Sequence, residues 1–485
     1  MAPPARCRKG HSVIEQSDYT VLQERYKISK ESLIGRGGFA KVYRGLDTKE
    51  CRGVAVKVYN STDTTAFESF MKSVEVLSKL HKIEVDGVED NEPGSPEGMA
   101  NTMSYKPGLL KKNLATMKSL GDLGGSERMP DKVMREMNFA DCFVQLLGFS
   151  KDSRGYPGLD IETETYFLIF ELGDSSLNEV LAQCKREENT LSKDELRSLH
   201  WALVSIVCGL HNEGYVHLDI KPVNIVRFRA AAKAGGGDGE GGEEKWQWKL
   251  IDLDGAMKTG SEVPLTGVVF TPQYMAPELA SAWRTARKDK ENREASQDPP
   301  RLKLSRLMDI WSVGLTALEA IFLTPVLDPW YGQWMEETGS DAKYLDWLSD
   351  NTTDPIVSGS MQEALNEIDR DMCRFLKGML SKDPKLRQSI TECVNHAWLK
   401  PIRMEIQRDI DEIVAQSLTG SHTTVSNVPK TPSSGPRSRM VTSSSEASQN
   451  STLLVSESSR GMMPTGTERA RIVVKGVKTR TCVTM

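Results

Sequence analysis

The chain has 485 residues, of which 38% are hydrophobic and 27% charged. That length exceeds what one compact core usually serves, and that apolar share excludes a wholly disordered chain, so two or three packed units, or one catalytic unit with linkers, are expected. Its 62 basic and 67 acidic residues leave a formal charge of −5, which argues against a nucleic-acid binder driven by bulk charge.

Residues 1–26 are polar and weakly patterned and are expected to be disordered. From Tyr26, KISKESLIGRGGFAKVYRGLD reads as strand, glycine turn, strand, and the alternating, β-branched VAVKVY reads as a third strand. TAFESFMKSVEVLSKL carries apolar residues at Phe67, Phe70, Met71, Val74 and Leu77, mostly at helical spacing. Residues 82–130 lose the pattern and read as an insertion of loop composition. FVQLLGFS and TYFLIFEL restore strand character. SLNEVLAQC and KDELRSLHWALVSIVCGLHNEG read as helices, the second long, buried and ending near Gly214. NIVRF and WKLID read as two strands joined by a disordered loop over residues 230–244, a length the chain tolerates because loop-closure entropy grows only logarithmically. A charged stretch near 283–302 reads as a third insertion. The most apolar run, Ile310–Leu327, contains Glu319 and is flanked by Asp309 and Asp328, so a buried globular helix fits it better than a membrane span. Helical segments continue to about Trp398, and residues 401–485 read as a disordered tail, dominated by Ser, Thr, Pro and Gly from Leu418 on. The eight cysteines form no CxxC pair, and the opening MAPPARCRKGHSV has no apolar core of a secretory signal. A reduced, intracellular, soluble protein is the expectation.

Four short segments concentrate the chemistry. Gly35-Arg36-Gly37-Gly38-Phe39-Ala40-Lys41-Val42 lies between two strands, where glycines let backbone N–H groups approach phosphate oxygens; a tight hairpin with no ligand would look the same. The strand–turn–strand context argues against a dinucleotide-binding fold, which needs strand–turn–helix. Lys57 sits inside an apolar strand, costly unless its ammonium meets anions. An outward-facing edge lysine is the alternative, and the glycine turn just before it favours phosphate. His217-Leu218-Asp219-Ile220-Lys221-Pro222-Val223-Asn224 packs a carboxylate, a lysine and an amide into one loop. Asp219 can accept a proton from an attacking hydroxyl, Lys221 can neutralise a transferring phosphate, and Asn224 can offer an amide oxygen to magnesium. Lys249-Leu250-Ile251-Asp252-Leu253-Asp254-Gly255 is an apolar strand ending in acids, as a hard divalent cation requires; a plain Asp-Gly turn is the alternative.

In this order, the residues resemble the eukaryotic protein kinase superfamily, serine/threonine type, over roughly Tyr26 to Pro401. Thr271-Pro-Gln-Tyr-Met-Ala-Pro277-Glu278 looks like the family's P+1 and APE segment, Asp309-Ile-Trp-Ser-Val-Gly314 like its central buried helix, and Asp383-Pro-Lys-Leu-Arg387 like its late arginine motif. The resemblance implies an α+β, two-lobed fold over residues 27–400. Its N-lobe (27–172) would hold an antiparallel β-sheet and one helix, and its C-lobe (173–400) would be mainly helical. It implies ATP and Mg2+ as cofactors, protein substrates, and transfer of the γ-phosphate to serine or threonine hydroxyls. Ile34, Val42 and Ala55 would wall the adenine. Gly35, Arg36, Gly37, Gly38, Phe39 and Ala40 would cover the phosphates through their backbone, with Lys41 beside them. Lys57 would contact the α- and β-phosphates, Phe170 would be the gatekeeper, and Glu171 to Gly173 the hinge. Asp219 would be the catalytic base, Lys221 would mark the serine/threonine branch, and Asn224 and Asp252 would hold the metal. Thr271 would shape the substrate groove, and Glu278 and Arg387 would form a structural pair.

The departures carry information. The third glycine of the turn is Ala40. The arginine that usually precedes the base is Leu218, so a phosphate on the activation loop, for instance on Thr266, loses its usual charge partner, and activity is not expected to depend on that switch. Asp254 stands where the family has a flexible glycine, which is expected to restrict flipping of this segment. A shifted register would make Asp254 the metal ligand, but strand spacing favours Asp252. The position of the helix glutamate that should pair with Lys57 is Ser73, and Glu75 is taken as the substitute, with Glu68 nearby. These changes keep a second reading open, a pseudokinase scaffold that binds nucleotide or partners without turnover. Finally, Cys482-Val483-Thr484-Met485 fits a prenylation box, although Thr484 is not aliphatic. Arg469, Arg471, Lys475, Lys478 and Arg480 lie upstream. One lipid plus a basic patch would give peripheral membrane association of a cytoplasmic protein; a random tail ending near a cysteine is the alternative.

Overall fold

The computed structural model describes residues 19–62, 64–83, 137–229, 246–292, 300–353 and 355–419. The chain divides into two units, residues 1–414 and 415–485, and the elements below lie in the first, apart from the end of the last helix. An antiparallel sheet comes first, built from β1 (Tyr19–Leu22), β2 (Tyr26–Arg36), β3 (Ala40–Asp47), β4 (Arg52–Tyr59), β5 (Leu146–Phe149) and β6 (Tyr166–Glu171) in the order β1-β2-β3-β4-β6-β5. Alternation along β4 sends Val54 and Val56 into a small core with Leu22, Tyr26, Ile28, Phe167 and Ile169. The opposite face, with Ala55 and Lys57, turns toward the rest of the molecule. The helix α1 (Thr64–His81) buries Ala66, Phe70, Val74 and Leu77, one stripe at helical spacing, in the main core.

The second lobe is mainly helical. Helices α2 (Leu177–Arg186) and α3 (Lys193–Asn212) each start on a reciprocal serine–glutamate cap, Ser176 with Glu179 and Ser192 with Glu195. Helix α3 stops where Gly214 takes φ +79°. The later helices are α4 (Pro277–Asn292), α5 (Arg306–Phe322), α6 (Asp328–Thr338), α7 (Ala342–Ser349), α8 (Gly359–Ile368), α9 (Arg370–Met379), α10 (Ile390–Asn395) and α11 (Lys400–Thr419). Helix α5 is buried from Met308 to Ala320, and a Cβ at Gly314 would lie 2.8 Å from Leu380 Cγ, so only glycine allows that approach. Among the described residues, no helix is long and apolar enough to cross a membrane. Three small ladders complete the lobe: β7 (Ser175–Ser176), β9 (Ile225–Arg229) and β10 (Trp246–Leu250) in the order β10-β9-β7; β8 (Tyr215–Val216) with β11 (Met257–Lys258); and β12 (Glu262–Pro264) with β13 (Arg301–Lys303). This is the two-lobed α+β arrangement that the motifs imply.

Three boundaries differ from the sequence reading. The segment 1–26 is not loose throughout: Tyr19–Leu22 pairs with β2 because Leu22, only 2% exposed, closes the small core. The charged stretch at 283–302 is an insertion only in part. Helix α4 runs on to Asn292, with Arg284 2.5 Å from Asp346 and Arg287 paired to Asp341 on and beside α7, and Arg301–Lys303 is a strand. The tail does not begin at 401, because α11 continues to Thr419 and rests Ile402 and Ile406 on the main core. The insertions placed at 82–130 and 230–244 lie almost wholly outside the described residues, as do residues 1–18 and the Cys482 tip.

Candidate active site

The sheet sets the first wall of the site. Gly35, Val42, Lys57 and Leu168 stand opposite one another on four successive strands, so their side chains share the face turned to the second lobe. Ala55, two residues before Lys57, is on the same face and pairs with Phe170. The β2–β3 turn spans Gly37, Gly38 and Phe39 and is closed by a Gly37 N–H to Ala40 carbonyl bond of 2.8 Å. Ala40, in place of a third glycine, is buried opposite Tyr59, so a small side chain fills the gap there. Arg36 and Lys41 face each other at the mouth of the turn, and Ile34 is 52% exposed. At the far end of β6, Glu171 donates its backbone N–H to the Gln145 carbonyl, and its side chain takes the Gln145 N–H at 2.8 Å and the Lys249 ammonium at 2.6 Å. A Cβ on Gly173 would sit 2.3 Å from Val226 Cγ1, so the connection between lobes can pass over β9 only as glycine.

The loop after β8 forms the second wall. Asp219 Oδ1 accepts from the Thr271 hydroxyl at 2.6 Å, Asp219 Oδ2 lies 2.7 Å from Lys221 Nζ, and Lys221 Nζ donates to Thr271 Oγ1 at 2.6 Å. A carboxylate, an ammonium and a hydroxyl thus form a closed triangle. The carboxylate is able to accept a proton, and the ammonium beside it is able to meet an anion. Asn224 donates its Nδ2 to the Asp219 carbonyl at 2.9 Å, which turns the donor end of the amide inward and leaves Oδ1 as its acceptor end. The loop is held from below by Asp309 of α5, fully buried, which accepts from the backbone N–H groups of His217 and Leu218 and from His211 Nε2 at 2.9 Å. Leu218, at φ +68°, is a strained non-glycine residue whose side chain is buried and whose N–H is fixed by that aspartate at 2.8 Å.

The third wall is the acidic segment after β10. Asp252, at φ +62°, places Oδ1 2.6 Å from Lys57 Nζ, and its carbonyl is 2.9 Å from His217 Nε2. Asp254 Oδ2 lies 2.7 Å from the same ammonium, while its Oδ1 accepts from Ser73 Oγ at 2.5 Å and from the Tyr59 hydroxyl at 3.0 Å. Burial works against the charge on Lys57, but the two carboxylates reverse that and hold it well above the usual lysine range. The lysine in turn pulls Asp252 below the ordinary carboxylate range, whereas burial raises Asp254.

Lys57, Asp219, Lys221, Asn224 and Asp252 are therefore brought together, as the motifs require. One pairing is corrected: Glu75 is not the partner of Lys57. Its carboxylate accepts from the Tyr215 hydroxyl at 2.7 Å and from Lys79 at 3.4 Å, because its place on α1 faces β8 rather than the sheet. Sequence reasoning placed Asp309 in a motif and Ser73 at the glutamate position but foresaw neither the bonds of Asp309 to the loop nor those of Ser73 and Tyr59 to Asp254. For Asp309, the signal was an acid inside the most apolar helix; for Ser73, it was a short polar residue where a glutamate is expected; for Tyr59, no local signal existed.

The chemistry of the donor set fits a hard divalent cation: a carboxylate at Asp252 held ionised by Lys57, with side-chain exposure of 47%, and an amide oxygen at Asn224. A family model described as "Protein kinase domain" matches residues 126–399, more than half of the chain. Smooth-muscle myosin light chain kinase of Gallus gallus is 27% identical over 210 residues, 43% of this chain and 8% of that protein. Serine/threonine-protein kinase 17A of Oryctolagus cuniculus is 26% identical over 234 residues, 48% of this chain and 47% of that protein. The chain thus spans less than half the length of either relative.

Proposed function

The chain belongs to the protein kinase family, and on that premise we propose that it is an ATP-dependent serine/threonine kinase that transfers the γ-phosphate to hydroxyls of protein substrates. The observation that carries the reading is the triangle of Asp219, Lys221 and Thr271 facing the Lys57–Asp252 pair. Asp219 takes the proton from the attacking hydroxyl, and Lys221, 2.7 Å away, offsets the charge that builds as the phosphoryl group moves. Thr271 keeps base and lysine in register until a substrate hydroxyl arrives. Lys57 offers its ammonium to the phosphates, while the backbone from Gly35 to Ala40, with Lys41 beside it, closes over them. Ile34, Val42 and Ala55 flank the base, and Glu171 and Gly173 supply the backbone edge that reads it. Asn224 and Asp252 would hold magnesium, which when bound supplies positive charge to the phosphate oxygens. Serine/threonine specificity follows from Lys221, two residues beyond the base. A scaffold without turnover draws its support from the missing helix glutamate and from the altered magnesium segment; against it, Lys57 finds its anions in that segment, and Asp252 keeps its place beside the lysine.

The test is transfer of labelled phosphate from ATP to a generic protein substrate. Asp219→Asn keeps the shape of the side chain and removes the base, so the rate is expected to fall by about 100-fold or more. Equal transfer by wild type and variant would overturn the reading.

A further inference from the structure

Lys57 is held from an unexpected side. Among the described residues, the acids within ion-pair distance of its ammonium are Asp252 and Asp254, both from the segment after β10. Neither glutamate of α1 reaches it: Glu75 is taken by Tyr215 and Lys79, and Glu68 is on the exposed face of the helix. Ser73, at the α1 position where the resemblance implies a glutamate, does not accept from Lys57; it donates to Asp254. Tyr59, two residues after Lys57 on β4, donates to the same oxygen.

We propose that Asp254 is the positioning residue for Lys57, its carboxylate doing from the acidic segment what a helix-borne glutamate would otherwise do, with Ser73 and Tyr59 as the clamp that aims it. This deepens the kinase reading and rests on it. The two aspartates divide the work by exposure. Asp252 is 47% exposed and follows Ile251, whose N–H is bonded to the Asn224 carbonyl, so its carboxylate is open to a cation beside Asn224. Asp254 is 16% exposed and engaged on both oxygens, one by Lys57 and the other by the two hydroxyls. Asp252 can therefore turn to a metal while Asp254 keeps the ammonium aimed. The arrangement also gives Ser73 a reason to be short: a glutamate there would collide with the carboxylate it now holds, since its oxygen is already 2.5 Å away. Aspartate and serine have exchanged roles with the glycine and glutamate that the resemblance implies at these positions.

The experiment measures full-chain transfer kinetics together with adenosine binding, which does not involve Lys57. In Asp254→Asn, kcat is expected to fall about 30-fold, while adenosine affinity and stoichiometry stay within about twofold of wild type, as loss of aim rather than loss of fold predicts. Moving the carboxylate back to the helix, Ser73→Glu in an Asp254→Gly background, is expected to recover about tenfold of the kcat lost by Asp254→Gly alone, a rescue that a merely structural role would not give. If Asp254→Asn does not fold, Tyr59→Phe removes one clamp bond without touching a charge and is expected to lower kcat about threefold. Wild-type transfer with unchanged kcat in Asp254→Asn, or in Tyr59→Phe should that variant be needed, would overturn the inference and leave the kinase reading standing, as would a double variant no better than Asp254→Gly. Absence of wild-type transfer would overturn both.

Discussion

Glu319 shows how far a single environment can move a residue. It lies on α5, 5% exposed, and accepts from the hydroxyl of Tyr274. Burial raises its carboxyl to about 7, with the Tyr274 bond opposing and Asp328 adding to the rise. The folded state therefore keeps a proton that the unfolded chain releases near pH 4.5. Stability falls as pH rises between those two values, and the loss is complete above about pH 7, reaching about 3 kcal/mol. Glu319→Gln retains an acceptor for Tyr274 and carries no charge. It is expected to match wild type at pH 5 and to unfold a few degrees higher at pH 8 in thermal melts; equal melting temperatures at pH 8 would refute the assignment. At this scale the sequence was legible for Lys57, Asp219, Lys221, Asn224 and Asp252, because each belongs to a short motif whose chemistry is local. It was not legible for the partners of Asp254. Ser73 on a helix and Tyr59 on a strand lie 181 and 195 positions before Asp254, and only packing reveals that they meet it.

The elements after the site explain how the segment from Asp252 to Glu278 stays in place. Met257–Lys258 pairs with Tyr215–Val216, Glu262–Pro264 pairs with Arg301–Lys303, and Tyr344 donates to the Pro272 carbonyl at 2.8 Å. Backbone ladders fix the segment, and the position before Asp219 is a buried leucine, Leu218, that offers no charge to a phosphate. Thr266 is exposed on a short 3-10 turn between these anchors. Thr266→Glu is therefore expected to leave the transfer rate within about twofold of wild type. A tenfold activation would show that the ladders are insufficient. Helices and strands with strong periodicity were readable from residue pattern alone, as in α1, α3 and β4. The strand β13 was not, because its three residues sit in a charged stretch and owe their form to β12. Strand β1 was missed for a related reason: only Leu22 among its residues is buried.

Across the whole molecule, the two lobes are joined by polar contacts as well as by the connection over Gly173. Glu75 on α1 meets Tyr215 of the second lobe, and Glu171 at the end of the sheet meets Lys249 on β10. Within the second lobe, Glu278 at the start of α4 and Arg387 before α10 form a bidentate pair at 2.7 and 2.9 Å, and the guanidinium also donates to the carbonyls of Leu307 and Ser381. The arginine side chain is fully buried, so Glu278→Ala leaves a charge without its partner. The expected cost is about 3–5 kcal/mol in denaturant unfolding. A loss under about 1 kcal/mol would mean that the carbonyls alone satisfy Arg387. This pair was readable from two motifs in the sequence, whereas the length of α11 and the course of α4 were not, since each depends on side chains meeting a core that local composition does not display.

The clamp on Asp254 also sets a rule for small molecules that enter the cleft beneath the β2–β3 turn. A compound that leaves the acidic segment as it stands meets no extra barrier. One that needs the acidic segment turned over, with Asp254 drawn out of its seat, must first break the bonds of Asp254 to Lys57, Ser73 and Tyr59. That costs about 3–4 kcal/mol, or about two to three powers of ten in affinity, before the compound has made a contact of its own. Selective ligands for this chain are accordingly to be sought among those that grip the closed segment, with the exposed Ile34 and the alanine at position 40 as the features that distinguish its roof.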